Sequence, residues 1–186
     1  KLDEKTSGWQ ASDLVIIAGR PAMGKTSFAL SLAKNIAVDH NIPIAFFSLE
    51  MNNVQLVNRL ISNVCSIPGN KMLNGQLSKD EWERLDKNIT NLQGAPLYID
   101  DTPGLSIFEL RTKARRLVRE KQVKVIMIDY LQLMNATGMN FGSRQEEVSK
   151  ISQSLKGLAK ELDIPILALS QLNRGVEGRE GLEGKR

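Results

Sequence analysis

Short apolar runs alternate along this chain with longer stretches in which apolar residues recur every three or four positions. Five runs are clear: Leu14–Ala18 (LVIIA), Ile44–Phe47 (IAFF), Leu97–Ile99 (LYI), Val123–Ile128 (VKVIMI) and Ile166–Leu169 (ILAL). Runs this short, with few polar interruptions, predict strands buried on both faces. Between them the spacing is helical. Thr26–Val38 sets Phe28, Leu32 and Ile36 on one side, with Ala29 and Ala33 filling in, and Val54–Val64 carries Val54, Val57, Leu60, Ile61 and Val64. Three further helices are predicted to start at capping boxes, Ser78–Glu81, Ser106–Glu109 and Ser143–Glu146, where a serine oxygen and a glutamate satisfy orphan amides. Strands alternating with helices predict an α/β fold with a mainly parallel central sheet covered on both faces. Asn173–Arg186 reads as irregular; its glycines at 175, 178, 181 and 184 lack the prolines that a collagen triple helix needs.

Composition narrows the classes of chemistry. The chain has 186 residues, 41% hydrophobic and 25% charged, which describes one ordinary globular domain, residues 1–186. No apolar run approaches the roughly 18–20 residues of a membrane span. The opening KLDEKTSGW has no charged-then-apolar leader, so a cytoplasmic protein without membrane contact is expected. A single cysteine, Cys65, rules out an internal disulfide and is expected as a small core residue. With a single histidine, His40, it leaves too few ligands for a structural zinc site, and triad hydrolysis would rest on His40 alone. The net charge of +4 is concentrated. Residues 1–110 carry 10 basic and 12 acidic side chains and residues 125–186 carry 8 of each, whereas residues 111–124 hold seven basic residues against Glu120. That run reads as a solvated helix face or as a surface for an acidic partner.

The strongest chemical signal is GRPAMGKT, Gly19 to Thr26, which fits the phosphate-binding loop pattern. It follows an apolar strand and opens a helix, so backbone amides at a helix N-terminus would face the negative charge. The nucleotide-binding set is therefore Gly19, Arg20, Pro21, Ala22, Met23, Gly24, Lys25, Thr26 and Ser27, with Lys25 bridging the β- and γ-phosphates and the Thr26 hydroxyl on magnesium. VKVIMIDY ends a buried strand in Asp129, where ligands sit in open parallel sheets, so Asp129 either orients the magnesium shell or caps a turn. In FFSLEM, Glu50 stands just past a strand end, placed to polarise an attacking water or to meet a helix dipole. In LALSQLN, Gln171 could contact a γ-phosphate or be a plain loop residue.

Taken together, GRPAMGKTSFAL, FSLEM, IDYLQLM and LSQLNR resemble, in order and spacing, the ATPase domain of DnaB-type replicative DNA helicases. The opening LDEKTSGWQASDL and the segment RQEEVSKISQSLKGLAKELDIPILALSQLNR are similar to that domain as well, so the resemblance spans essentially the whole chain. RecA recombinases share the phosphate loop but not FSLEM together with IDYLQLM.

The resemblance implies a RecA-like fold in which the Ile166–Leu169 strand inserts between the phosphate-loop strand and the Asp129 strand. It implies ATP and Mg2+ as the bound groups, Lys25 and Thr26 on the phosphates and metal, Asp129 as the second-motif acid, Glu50 as catalytic base and Gln171 as γ-phosphate sensor. It also implies a hexameric homo-oligomer around single-stranded DNA, with a primase and a helicase loader as partners. The domain would be truncated at both ends, without the family's N-terminal domain and its C-terminal arginine finger, and poor at hydrolysis alone. Two glycine-rich segments are expected to face DNA and to be mobile without it, Asn135–Ser143 and Asn173–Arg186. Arg144 would be the phosphate contact at the base of the first, or else a helix-capping or subunit-contact residue, and Asn173 and Arg174 would open the second. Rival readings are a recombination or repair ATPase, a phosphotransferase with an arginine-rich lid, and a nucleotide-gated binding module. The methionines of IMIDYLQLM read as core, Trp9 and Trp82 as core or interface, and base stacking by Tyr130 would be a guess.

Overall fold

A computed structural model describes residues 4, 7–136 and 142–172. Five strands form one sheet: β1 (Leu14–Gly19), β2 (Ile44–Ser48), β3 (Leu97–Asp100), β4 (Val125–Asp129) and β5 (Ile166–Gln171). Their order is β1-β5-β4-β2-β3 and every pairing is parallel. The Ile166 strand therefore lies between the phosphate-loop strand and the Asp129 strand, as expected.

Each strand runs one or two residues beyond its apolar run, into Gly19, Ser48, Asp100, Asp129 and Gln171. These polar ends share the C-terminal edge, with Gly19 paired to Gln171 and Ser48 paired to Asp129. The apolar bodies of β2, β4 and β5 are buried on both faces. β1 departs from that expectation: it is an edge strand among the described residues, and Ile16 is 44% exposed.

Helices cover the two faces separately. On one side, α1 (Lys25–Lys34) and α2 (Asn53–Cys65) pack on Ile44, Phe46, Met127, Leu167 and Leu169. On the other, α5 (Ile107–Lys121) and α6 (Arg144–Leu162) close over Ala45, Phe47, Ile126, Ile128, Ile166 and Ala168. Between them in sequence, α3 (Gly69–Asn74) and α4 (Lys79–Gln93) form an outer layer beside α2. The methionines Met127 and Met134 and the thiol of Cys65 are buried, and burial pushes the Cys65 pKa up. Trp9 packs partly buried beside the α1 layer, whereas Trp82 is more than half exposed.

Two helix faces differ from the periodic reading. In α1 the buried positions are Ala29, Leu30 and Ala33, continued by Ala37 in a π-helical turn, Asn35–Asp39, while Phe28 is exposed. Small residues let α1 approach the sheet closely, and Phe28 cannot share that narrow gap. In α2 the buried residues are Leu56, Leu60 and Cys65, with Val54 and Val57 outside. The capping boxes at Ser78 and Ser106 are complete. That at Ser143 is half-formed: Ser143 Oγ accepts from Glu146 N–H at 3.2 Å, but the Glu146 carboxylate accepts from Gly142 N–H at 2.9 Å.

The basic helix α5 uses much of its charge internally. Arg111 and Arg115 both pair with Glu161 of α6, Lys113 donates to Asp100 at 2.6 Å, and Lys121 lies 5.8 Å from the centroid of the Tyr98 ring.

Candidate active site

The phosphate loop passes through the left-handed backbone region at Ala22 (φ +62°) and at Gly24. Gly24 caps α1 with φ +79°, in the left-handed region where a side chain would be strained, and Phe28 N–H donates to its carbonyl at 2.9 Å. A Cβ on Gly19 would crowd the Lys25 stem at 3.2 Å, so Gly19 gives the lysine its path across the loop. Lys25 Nζ donates to the Arg20 carbonyl at 3.1 Å.

Beside the loop, a cavity of about 340 Å³ is lined by Pro21, Gly24, Lys25, Thr26, Glu50 and Gln171, together with Ala22, Ser27 and Arg59. The structure thus brings Glu50 and Gln171 from separate strand ends to the phosphate loop. Arg59 is the residue that the sequence reading missed. Its signal was present, since it is the lone charge in the α2 sequence NVQLVNRLISNVC.

Asp129 is 1% exposed, and neither carboxylate oxygen has a hydrogen-bond partner. Burial raises its pKa; the Thr26 hydroxyl, beside the carboxylate but short of a well-formed hydrogen bond, lowers it, the Glu50 charge raises it again, and Lys25 and Arg59 lower it. A buried carboxylate with no hydrogen bond is costly unless charge is brought to it. Two unpartnered oxygens facing a threonine hydroxyl at a phosphate loop are a hard-oxygen donor set, which fits a magnesium shell completed by phosphates.

Glu50 sits in a turn held from three directions. Ser48, itself buried, donates through Oγ to the Met51 carbonyl at 2.7 Å and accepts from Met51 N–H at 3.2 Å. Leu49 N–H donates to the Asp129 carbonyl at 2.7 Å. Beyond the turn, the Asp101 carboxylate accepts from Asn53 N–H at 2.7 Å and from its side-chain amide at 3.0 Å, tying the start of α2 to the end of β3. Tyr130 is partly buried against the α1 layer; burial, then the charges of Glu50 and Asp129, push its phenol pKa up.

The family model for the DnaB-like helicase C terminal domain matches residues 1–185. The chain belongs to that family. The replicative DNA helicase DnaB of Nostoc sp. is 52% identical over 180 residues, covering 96% of this chain and 20% of that protein. DnaB of Geobacillus stearothermophilus is 47% identical over 180 residues, covering 97% of this chain and 40% of that protein. A solved structure described as a DnaB-like replicative helicase and its interactions with primase superposes with a TM-score of 0.86 at 36% identity, covering 96% of this chain and 43% of that one. The chain therefore spans a fifth to two fifths of the length of these curated relatives.

As a DnaB-like C-terminal domain, it holds two sets of candidate DNA residues, differently placed. Arg144 opens α6 with its guanidinium turned back on the chain, donating to the carbonyls of Gln132 at 2.5 Å and Met134 at 2.9 Å and pairing with Glu147. Asn135 and Ala136 are anchored rather than loose: Asn135 donates to the Gly104 carbonyl at 2.6 Å, and Ala136 is buried. Residues 137–141 and the segment Asn173–Arg186, with Asn173 and Arg174, lie outside the described residues.

Proposed function

We propose that this chain is the ATP-hydrolysing motor of a replicative DNA helicase, coupling hydrolysis to translocation on single-stranded DNA and duplex unwinding. The observation that carries it is the buried, unpartnered Asp129 carboxylate beside Thr26, at a cavity that Lys25, Glu50, Arg59 and Gln171 also line.

In this reading the loop of Gly19, Arg20, Pro21, Ala22, Met23, Gly24 and Ser27 wraps the ATP phosphates, with backbone amides from the residues other than Pro21, and Lys25 bridges the β- and γ-phosphates. Thr26 and Asp129 would hold Mg2+, which would supply charge neutralisation for the phosphates. Glu50 accepts a proton from the attacking water and orients it for in-line displacement. Its turn is held by the Ser48 hydroxyl, which fixes the backbone from which Glu50 lines the cavity. Arg59 adds positive charge where the γ-phosphate leaves, and Gln171 changes its contacts once that phosphate is gone.

The family supports a hexameric ring of identical chains around single-stranded DNA, with a helicase loader and primase as partners. The primase partner is supported by the related structure described with primase. An arginine finger from the adjoining subunit would complete the site. Among the described residues no helix is long and apolar enough to cross a membrane, and a cytoplasmic replication protein is the setting we propose.

The test is ATP hydrolysis by the full-length protein with and without single-stranded DNA, alongside a forked-duplex assay. Strong stimulation with strand separation is expected. Joint molecules in place of unwound forks would support a recombination ATPase, and DNA binding that persists without any hydrolysis would support a nucleotide-gated binding module.

A further inference from the structure

The basic helix α5 takes no part in the nucleotide chemistry. Its arginines at 111, 115 and 119 recur at every fourth position and so share one face, which Phe108 begins a turn earlier. Beside that face, α5 and α6 flank a cavity of about 230 Å³ lined by Ile107, Phe108, Arg111, Ser154, Gly157 and Leu158. None of these six lines the phosphate cavity. Ile107 and Leu158 are buried, whereas Phe108 is 51% exposed.

Two observations point to an occupant. The first is Gly157. It lies inside a 19-residue helix, where glycine is the least favourable residue after proline, yet a Cβ built on it meets nothing within 4 Å. Packing among the described residues therefore does not call for a glycine here, and the bare backbone leaves the groove open to another chain.

The second is the state of the arginines. Arg111 gives Nε and Nη2 to one Glu161 oxygen, at 3.1 and 2.5 Å, and Arg115 gives Nε to the other. A guanidinium has five N–H donors, so most of these stay unspent, and one carboxylate faces two positive charges. Glu161 thus holds both side chains in place for a further acceptor without neutralising them. Arg119, whose side chain is 80% exposed, reaches only its neighbour Glu120, at 3.4 Å, among the described residues. On α6, Lys150 is exposed in the same row as Ser154 and Gly157. The groove is therefore apolar inside and carries more positive than negative charge at its rim.

We propose that this groove docks an acidic helical segment of a partner protein, with its carboxylates on Arg111, Arg115 and Arg119 and an apolar side chain in the cavity. Residues four apart on a helix stand about 5–6 Å from one another, so an acidic helix repeats its carboxylates at the interval of the arginines. The two rows match in charge and in period. A nucleic-acid strand would use the arginines but leave the apolar cavity over Ile107 and Leu158 unfilled, which favours a peptide.

The probe is a fluorescein-labelled helical peptide with glutamate at every fourth position and leucine between, titrated with the full-length protein by anisotropy. A second peptide carries glutamine for each glutamate, and labelled oligothymidylate and duplex DNA run alongside. The acidic peptide is expected to bind about tenfold or more tightly than the glutamine peptide, and less so as salt rises. Gly157→Leu fills the cavity from the helix itself, into open space, with a better helix former. It should melt at or above the wild-type temperature, keep wild-type ATP hydrolysis and bind the acidic peptide about tenfold or more weakly. Gly157→Ala, which adds only a methyl, should keep the peptide. The double variant Arg115→Gln, Arg119→Gln should lose about tenfold in peptide affinity with DNA affinity unchanged. Phe108→Ala removes one side of the cavity and should also weaken the peptide, which covers the case in which Gly157→Leu does not fold.

No binding of the acidic peptide, equal binding of the two peptides, or an affinity unchanged in Gly157→Leu and Phe108→Ala overturns the proposal. DNA affinity that falls in the arginine double variant while peptide binding holds would make the face a nucleic-acid surface and overturn it as well. Loss of the assembled state in Gly157→Leu, read by sedimentation, would assign the groove to a neighbouring copy of this chain instead.

Discussion

Asp129 is the residue at which fold and function pull hardest against each other. Its carboxyl is buried without a hydrogen bond, and burial raises its pKa. A carboxyl whose folded pKa lies above its unfolded value stabilises the fold in acid, and that contribution is lost as pH rises through the folded pKa. Asp129→Asn should therefore melt above the wild type at neutral pH without nucleotide, by roughly 2–4 °C for each kcal/mol relieved in a chain of this size. The gain should shrink as pH falls into the range where Asp129 is protonated, and thermal melts across that range check it. A variant that melts below the wild type at neutral pH would mean the carboxylate is paired. Glu50 poses the opposite case, a group placed for chemistry at little cost to the fold. In the full-length protein, Glu50→Gln should leave ATP binding nearly intact and cut hydrolysis by roughly 10²-fold or more. Turnover within a few-fold of wild type would reduce Glu50 to a residue at the start of a helix.

At the scale of the elements, α4 shows how a capping box becomes a tertiary contact. Glu81 accepts from Ser78 N–H at 2.8 Å, and Lys71 of α3 donates to its other oxygen at 2.8 Å. The Lys71 hydrogen bond, followed by the Ser78 backbone bond, holds the Glu81 carboxyl down at about 2. A depressed carboxyl stabilises the fold above its unfolded pKa, and that stability is lost as pH falls through the folded value. Glu81→Gln should lower the melting temperature at neutral pH, with the difference from wild type closing progressively below the ordinary glutamate range. A gap that persists unchanged in acid would assign the effect to packing alone. The start of this helix was legible from Ser78 and Glu81, because a capping box is local. The partner Lys71 was not, because its place beside Glu81 depends on how α3 turns back on α4. The same division explains α1: its periodicity announced a helix, but the close approach to the sheet selected Ala29, Leu30 and Ala33 over Phe28.

For the whole molecule, the C-terminal sheet edge is the proposed nucleotide site and also the place where Gly19 pairs with Gln171 and Ser48 with Asp129. A nucleotide bound across Gly19, Asp129 and Gln171 would brace β1, β5 and β4 at once. Mg-ATP at 100 times its dissociation constant should add about 2.7 kcal/mol to folding stability by mass action. Lys25→Ala should abolish that thermal shift if, as proposed, Lys25 supplies the loop's point charge to the β- and γ-phosphates. A calorimetric titration checks the affinity directly. Wild-type affinity and shift in the variant would sink the phosphate-loop reading.

The α/β class, the five strands and the phosphate-loop pattern were readable from the chain, and Lys25, Thr26, Glu50, Asp129 and Gln171 could be named from it as candidates. Each of these rests on short-range information: an apolar run, a helical period, a glycine spacing, or a polar residue just past a strand. Where the strands stop was not readable, because Ser48, Asp100 and Gln171 belong to the ladder through their neighbours and not through their own hydrophobicity. Arg59 joins the cavity only because α2 packs back along the sheet, nine residues after Glu50. Arg144 could be read as a charge at the mouth of a glycine-rich segment. Its turn toward the Gln132 and Met134 carbonyls was decided by where the chain after Asp129 passes, and only the tertiary structure brings those acceptors within reach.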